Sequence, residues 1–157
     1  MLVPVAEHRY EVEITWAGAT IDYRSYSRSH EVRGQGLPPI PGSADPLIGR
    51  GDPGRWNPEQ LLVASLSQCH MLWYLHLCVD AGIVVTDYRD TAVGTMSNTR
   101  FTNVTLSPRV VIASPEHVAD AQALHTQAHN RCFIANSVNF PVHHEPQISA
   151  LSSSHND

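Results

Sequence analysis

Lysine is absent from this chain. All ten basic residues are arginine, against fifteen acidic ones, for a net charge of -5 and a pI near 6.0. That balance offers no basic face to nucleic acid or to an anionic membrane, and neither is expected as a partner. Charged residues are sparse at 16%, while hydrophobic residues reach 42% of 157. That composition argues against disorder over most of the length and for one domain with a real core. The expected organisation is a single domain over residues 1–148 and a polar tail over 149–157. Cysteine is scarce too. Three is an odd count and too few for a disulfide-stapled secreted domain. Residues 1–7 carry neither the basic region nor the long apolar run of a signal peptide, so a reducing cytoplasm is the expected location. There a cysteine pair is more often catalytic or metal-binding than structural. Glycine-rich phosphate loops, a Gly-x-Ser-x-Gly elbow and internal repeats are also missing. The one stretch approaching transmembrane length, residues 61–79, is interrupted by Ser65, Ser67, Gln68, His70 and His76, and reads as a helix buried in protein.

What is present divides into recognisable elements. Residues 8–16 alternate, with Tyr10, Val12, Ile14 and Trp16 on one side, which predicts a half-buried strand. Further strand is expected within 23–32. Residues 34–54, rich in Gly and Pro, predict a loop of about 20 residues, a length that usually has a function or covers something. Asn57, Pro58 and Glu59 form a strong helix start as N-cap, N1 proline and acidic first turn. Apolar residues then occupy nearly every face to Val79, and Gly82 suits the position just past the end. One central buried helix over 58–81 is therefore expected. A single small sheet cannot surround it, so a second copy of the chain is expected to cover the remaining face. Strands are expected from residue 83, with a hairpin between 90–97 and 102–112. Ser114-Pro115-Glu116 starts a second helix ending near Arg131. A short turn or helix over 133–138 and a last strand over 140–145 follow. The fold class is α+β, two main helices against antiparallel strands.

Two of the three cysteines invite chemistry. Cys69 lies within the first helix beside Ser65, Gln68 and His70, and packing as a small hydrophobe is its plain alternative. Cys132 follows Arg131 at a helix end, where a nearby cation favours thiolate; packing is its plain alternative too. Cys78 faces the other side of the helix from Cys69 and reads as structural. His125 and His129 are one turn apart and precede Cys132, so a zinc site built from these three is a weak further reading. It lacks the glutamate of a metalloprotease helix and any Cys-x-x-Cys support, and no bound metal is expected.

The segment Asn57-Pro58-Glu59-Gln60-Leu61-Leu62-Val63-Ala64, followed by Cys69, resembles the first motif of the OsmC/Ohr family. Ala128-His129-Asn130-Arg131-Cys132 resembles the same family's second motif. Order, spacing and predicted structure all match, over roughly residues 10–145. Ser67-Gln68-Cys69-His70-Met71-Leu72-Trp73 is similar to the general OsmC-like branch. The resemblance implies an OsmC-like fold, antiparallel sheets packed around a central buried helix in an intertwined homodimer with two sites at the subunit interface. It implies a thiol-dependent peroxidase that reduces small organic hydroperoxides without a cofactor and is recycled by an external dithiol reductant. Cys69 would be the peroxidatic cysteine, Cys132 the resolving one, and Glu59 the carboxylate that orients an arginine. Arg50 is the best match for that arginine, with Arg55 and Arg24 in reserve. The chemistry agrees: a thiolate breaks the O–O bond, a guanidinium stabilises thiolate and departing alkoxide, and a sulfenic acid condenses with a second thiol. Glu59 and Cys69 would lie about 15 Å apart along one helix, so Glu59 would more easily serve the partner's site. A non-enzymatic, small-molecule-binding dimer of the same fold is the alternative.

Overall fold

The first helix begins where its sequence says it should. In the computed structural model, which describes residues 6–152, α1 spans Pro58–Asp80. Asn57 and Gln60 close a reciprocal capping box: Gln60 N–H donates to Asn57 Oδ1 at 2.9 Å, and Asn57 N–H donates to Gln60 Oε1 at 3.1 Å. Two helix-end donors are thereby satisfied. At the other end Gly82 adopts φ 71°, the left-handed conformation that glycine takes without strain. Length and composition alone would let α1 cross a membrane. Its Leu66, His70, Tyr74, Leu77 and Cys78, however, are buried within protein.

The chain divides into two compact units, residues 1–61 and 62–157. In the first, β1 (Glu13–Thr15), β2 (His30–Arg33) and β3 (Ile40–Gly42) form an antiparallel sheet in that order. Strand β3 lies inside the stretch expected to be loop; its backbone pairs with the preceding β2, and that pairing outweighs its one proline and one glycine. The rest of that stretch folds back on β3, with Ser43 N–H donating to Trp56 O at 2.8 Å and Trp56 N–H to Pro41 O at 3.0 Å. Gly51 is required there, because any Cβ would collide with the Ala44 backbone. The strand expected over 8–16 is regular only in β1. Its apolar row is not half-buried: Tyr10 is 89% exposed and Ile14 59%. The alternation is real, but this unit supplies no second layer to cover it.

The second unit carries the rest of α1, then β4 (Val85–Asp90), β5 (Val93–Ser97), β6 (Arg100–Leu106) and β7 (Pro108–Ile112). A 3-10 turn at Pro115–His117 leads into α2 (Val118–Arg131), and β8 (Val142–His144) and β9 (Gln147–Ala150) follow. The expected hairpin is β5–β6, but the residues expected as its second arm divide between two sheets. The sheets are ordered β4-β7-β9 and β5-β6-β8. They are mixed rather than antiparallel, because β8 runs parallel to β6 and β9 parallel to β7. The expected last strand is β8; β9 comes after it. Ser149 and Ala150, expected in the polar tail, pair with Val111 and Ile112. Tail residues 153–157 lie outside the described residues.

One core packs Tyr74, Leu77 and Cys78 of α1 against Val110 and Ile112 of β7 and Ala121, Leu124 and Ala128 of α2. A second gathers Leu66, Val104, Leu106 and Val142. Helix α1 is thus buried along one face rather than all round, and Leu72 and Val79 are 61% and 76% exposed. Replacing Asn57 by Ala removes the capping box and should lower stability by about 1 kcal/mol, read from chemical denaturation; an unchanged midpoint would mean water caps the helix equally well.

Candidate active site

Cys69 and Cys132 come together in the second unit. Cys69 is partly exposed on α1, and Cys132, 1% exposed, caps the C-terminus of α2. The two thiols are near enough for Cys69 to act on Cys132, and both are free, as is Cys78. Burial pushes the Cys132 thiol up to about 11, against a smaller opposing pull from the Ala135 N–H; the Cys69 thiol raises it further. The Ala135 N–H donates to Cys132 Sγ at 3.4 Å, and the Cys132 N–H donates to His129 O at 3.3 Å. The cation expected to lower this thiol does not prevail. The Arg131 guanidinium lies over the Trp73 ring, 5.7 Å from its centroid, and burial dominates at the sulfur. One turn beyond Cys69, Trp73 also meets the exposed Phe133 edge-on, centroids 5.4 Å apart. The thiol pair is therefore followed by an aromatic ledge with a guanidinium on it.

Cys78 sits in the core, where burial raises its thiol against a smaller lowering influence of the neighbouring Tyr74. That matches a structural role.

Glu59, Arg50, Arg55 and Arg24 all belong to the first unit. Glu59 Oε2 is buried and has no hydrogen-bond partner. Arg50 adopts a left-handed backbone, φ 57°, and its guanidinium is 5.9 Å from the Tyr23 ring centroid. Arg55 donates to the His30 carbonyl at 3.0 Å. Arg24 is exposed in a turn built on Asp22. Among the described residues Glu59 forms no ion pair with any of the three.

The histidines form a group that residue spacing does not reveal. His70 of α1 and His125 of α2 are fully buried and share a 2.9 Å hydrogen bond between Nε2 and Nδ1. Their rings lie edge to edge across that bond, centroids 5.2 Å apart and planes 9° from parallel. Tyr74 stacks on the far side of His125 at 3.8 Å. His144 lies 5.8 Å from His70 and 5.3 Å from His129, so four imidazoles run from the core toward the surface. Burial, then neighbouring histidines, lowers His70 to about 4 and His125 to about 3. His144 is lowered for the same reasons. Among the described residues no three His, Cys, Asp or Glu side chains are placed to hold a metal ion, so the zinc reading from His125, His129 and Cys132 has no geometric support. The sequence signal for this file was only its count of ten histidines.

Comparison with known proteins gives the lineage. A family model for OsmC-like proteins matches residues 50–147. An OsmC-like protein of unknown function from Vibrio cholerae is 30% identical, with a TM-score of 0.82 over 90% of this chain and 100% of its own. An organic hydroperoxide resistance protein OsmC from Legionella pneumophila shares the fold at 20% identity, TM-score 0.62, over 91% of this chain and 99% of its own. One from Elizabethkingia anophelis does so at 20% identity, TM-score 0.62, over 93% and 100%. No curated protein matches. The chain belongs to the OsmC-like family, and its α+β fold is the family's.

The depressed histidines have a consequence for stability. Unfolded, both rings bind protons below about pH 6.5, whereas the folded chain keeps them neutral until about pH 4 and about pH 3. The unfolded state therefore binds more protons in that interval, and stability is complete above pH 6.5 and falls as the pH drops. Denaturant unfolding between pH 7 and 4 should show a loss on the order of several kcal/mol. The His70→Leu/His125→Leu double variant should flatten that slope. An equally steep slope in the double variant would assign the acid sensitivity elsewhere.

Proposed function

We propose that this chain is a cysteine-based peroxidase that reduces small organic hydroperoxides. The observation that carries this reading is the meeting of Cys69 and Cys132 from two different helices, both free, one partly exposed and the other buried. The names of the Legionella and Elizabethkingia proteins point the same way.

The steps balance as follows. The Cys69 thiolate attacks one peroxide oxygen, the O–O bond breaks, and the alkoxide leaves and takes a proton to become the alcohol. Cys69 is now a sulfenic acid. The Cys132 sulfur attacks the Cys69 sulfur, the hydroxyl leaves as water with the Cys132 proton, and a disulfide forms. An external dithiol then reduces the disulfide by exchange, its own two sulfurs becoming oxidised. A reducing cytoplasm would supply that reductant. The ledge of Trp73 and Phe133 offers the apolar part of an organic hydroperoxide a surface beside the thiols.

In this reading Glu59 orients a guanidinium, for which Arg50 is the first candidate and Arg55 and Arg24 the others. The partnerless Glu59 Oε2 supports it, since a buried carboxylate oxygen needs a donor. The working form is a homodimer. Its support is the exposed row of Tyr10, Val12 and Ile14 and the bare Leu72 and Val79 of α1, apolar surface that a second copy would cover. Light scattering coupled to gel filtration should give twice the 17.3 kDa chain mass; a monomer at micromolar concentration would remove the shared-site arrangement.

Cys69→Ser should abolish turnover of cumene hydroperoxide. Cys132→Ser should release one equivalent of alcohol and then stall with an oxidised Cys69. Titration of the native protein should show two thiols lost on peroxide treatment. Steady turnover by Cys69→Ser would overturn the reading. Retention of all three thiols would favour a non-enzymatic small-molecule-binding dimer of the same fold.

A further inference from the structure

We propose that His70 and His125 are positioning residues whose mutual hydrogen bond holds Cys132 in disulfide-forming register with Cys69. The inference rests on the reading of those cysteines as a reacting pair. It goes beyond that reading by naming what brings them together.

Three contacts join the two helices. The Tyr74 hydroxyl donates to the Ala121 carbonyl at 3.0 Å. His70 bonds His125 at 2.9 Å. Cys69 meets Cys132. From Tyr74–Ala121 to His70–His125 the numbers fall by four on α1 and rise by four on α2, as between antiparallel helices, and the cysteine contact lies beyond them at the C-cap of α2. The histidine bond is the middle rung. On α1 it is one residue from Cys69, and on α2 it is about two turns from Cys132.

The protons make the rung obligatory. A neutral imidazole has one donor and one acceptor nitrogen. Whichever ring donates across the 2.9 Å bond, its partner accepts, and the outer atoms are then one donor and one acceptor. Those outer atoms, His70 Nδ1 and His125 Nε2, are buried without hydrogen-bond partners. The shared bond is therefore the hydrogen bond that each ring makes, and parting the helices would leave both rings wholly unpaired inside the protein. An unmade buried hydrogen bond is far costlier than a made one is stabilising, so the pair resists sliding and separation alike. Packing alone does not impose this. Apolar side chains of similar size could fill the space and tolerate a shift along the helix, whereas a directional bond does not. Disulfide formation needs that precision, because the two Cβ atoms must approach within about 4.5 Å with a defined dihedral angle.

The groups facing the pair are His144 from β8, His129 from α2 and Tyr74 from α1, with Tyr88 of β4 beyond Tyr74. None is a carboxylate, so nothing there compensates a proton on the pair. A first proton leaves the protonated ring donating to its neutral partner; a second replaces the donor–acceptor match with two donors and breaks the rung.

The test uses exchange with a dithiol/disulfide buffer and needs no peroxide. In it, the protein dithiol and the reference disulfide exchange to protein disulfide and reference dithiol, read by alkylation and mass spectrometry. The His70→Leu/His125→Leu variant should shift the equilibrium toward the protein dithiol by about tenfold to a hundredfold, the scale on which small misplacements act. The His70→Gln/His125→Asn variant places amides where Nε2 and Nδ1 now meet and should recover most of the loss. A Leu pair with the native equilibrium, or an amide pair no better than the Leu pair, would overturn the proposal. If the Leu pair does not fold, the pH profile of the amide pair decides. Thiols on both sides stay protonated at acid pH, so only another group can tilt the equilibrium. The native protein should lose disulfide as the pH falls toward about 3, where the second ring takes its proton, with a selenol catalyst to speed exchange, and the amide pair should not. Identical profiles would overturn the proposal. A native protein that ignores hydroperoxides yet shows this dependence keeps the positioning role and loses only the peroxidase reading.

Discussion

The packing of α1 on α2 is the constraint from which the rest of the second unit follows. Each helix alone would expose an apolar stripe, and each brings polar atoms into the contact that water can no longer reach. Tyr74 resolves its hydroxyl on the Ala121 carbonyl, and His70 and His125 resolve theirs on each other. With those bonds made, Leu77, Cys78, Leu124 and Ala128 close a dry core with β7. The same crossing brings two cysteines from remote parts of the chain into contact. A site of this kind costs little extra order, because the helices that carry it are already fixed by the core.

Much of this was readable from sequence, and the reasons are local ones. The start of α1 is legible because Asn57, Pro58 and Gln60 act on their own backbone neighbourhood, and its end because Gly82 takes a conformation other residues avoid. The β5–β6 hairpin and the end of α2 at Arg131 are legible for the same reason. The parallel pairings of β8 with β6 and β9 with β7 are not, since nothing in residues 142–150 names a partner chosen by tertiary packing. Strand β3 hides among glycines and prolines because its three residues, one of them proline, carry too short a pattern to mark a strand. At the site, both cysteines were legible through their motifs, but the environment of Cys132 was not. Arg131 precedes it in sequence and turns away to Trp73 in space, so desolvation sets the thiol instead. The histidine file has no sequence signature, because its members come from two helices and a strand.

The surface that remains bare is informative in the same physical terms. Residues 8–16 alternate as a strand with a buried face must, yet Tyr10, Val12 and Ile14 are exposed. Helix α1 is apolar on more faces than its own core covers. Sequence patterns record burial wherever it occurs, in one chain or between two. On the proposed reading a second copy would cover that surface and supply a donor to the buried Glu59 oxygen, which has none among the described residues.

The two cysteines are unequal, and on the proposed reading the inequality is what orders the steps. A thiol held near 11 by burial is almost wholly protonated at neutral pH, so reduced Cys132 does not compete with Cys69 for peroxide. That same proton is useful one step later. Hydroxide is a poor leaving group from a sulfenic acid, and water is a good one. The thiol that attacks Cys69 carries the proton the departing oxygen needs, and handing it over gives the sulfur the thiolate character the attack requires. That transfer works only at contact, and contact is what the packing of α1 on α2 supplies.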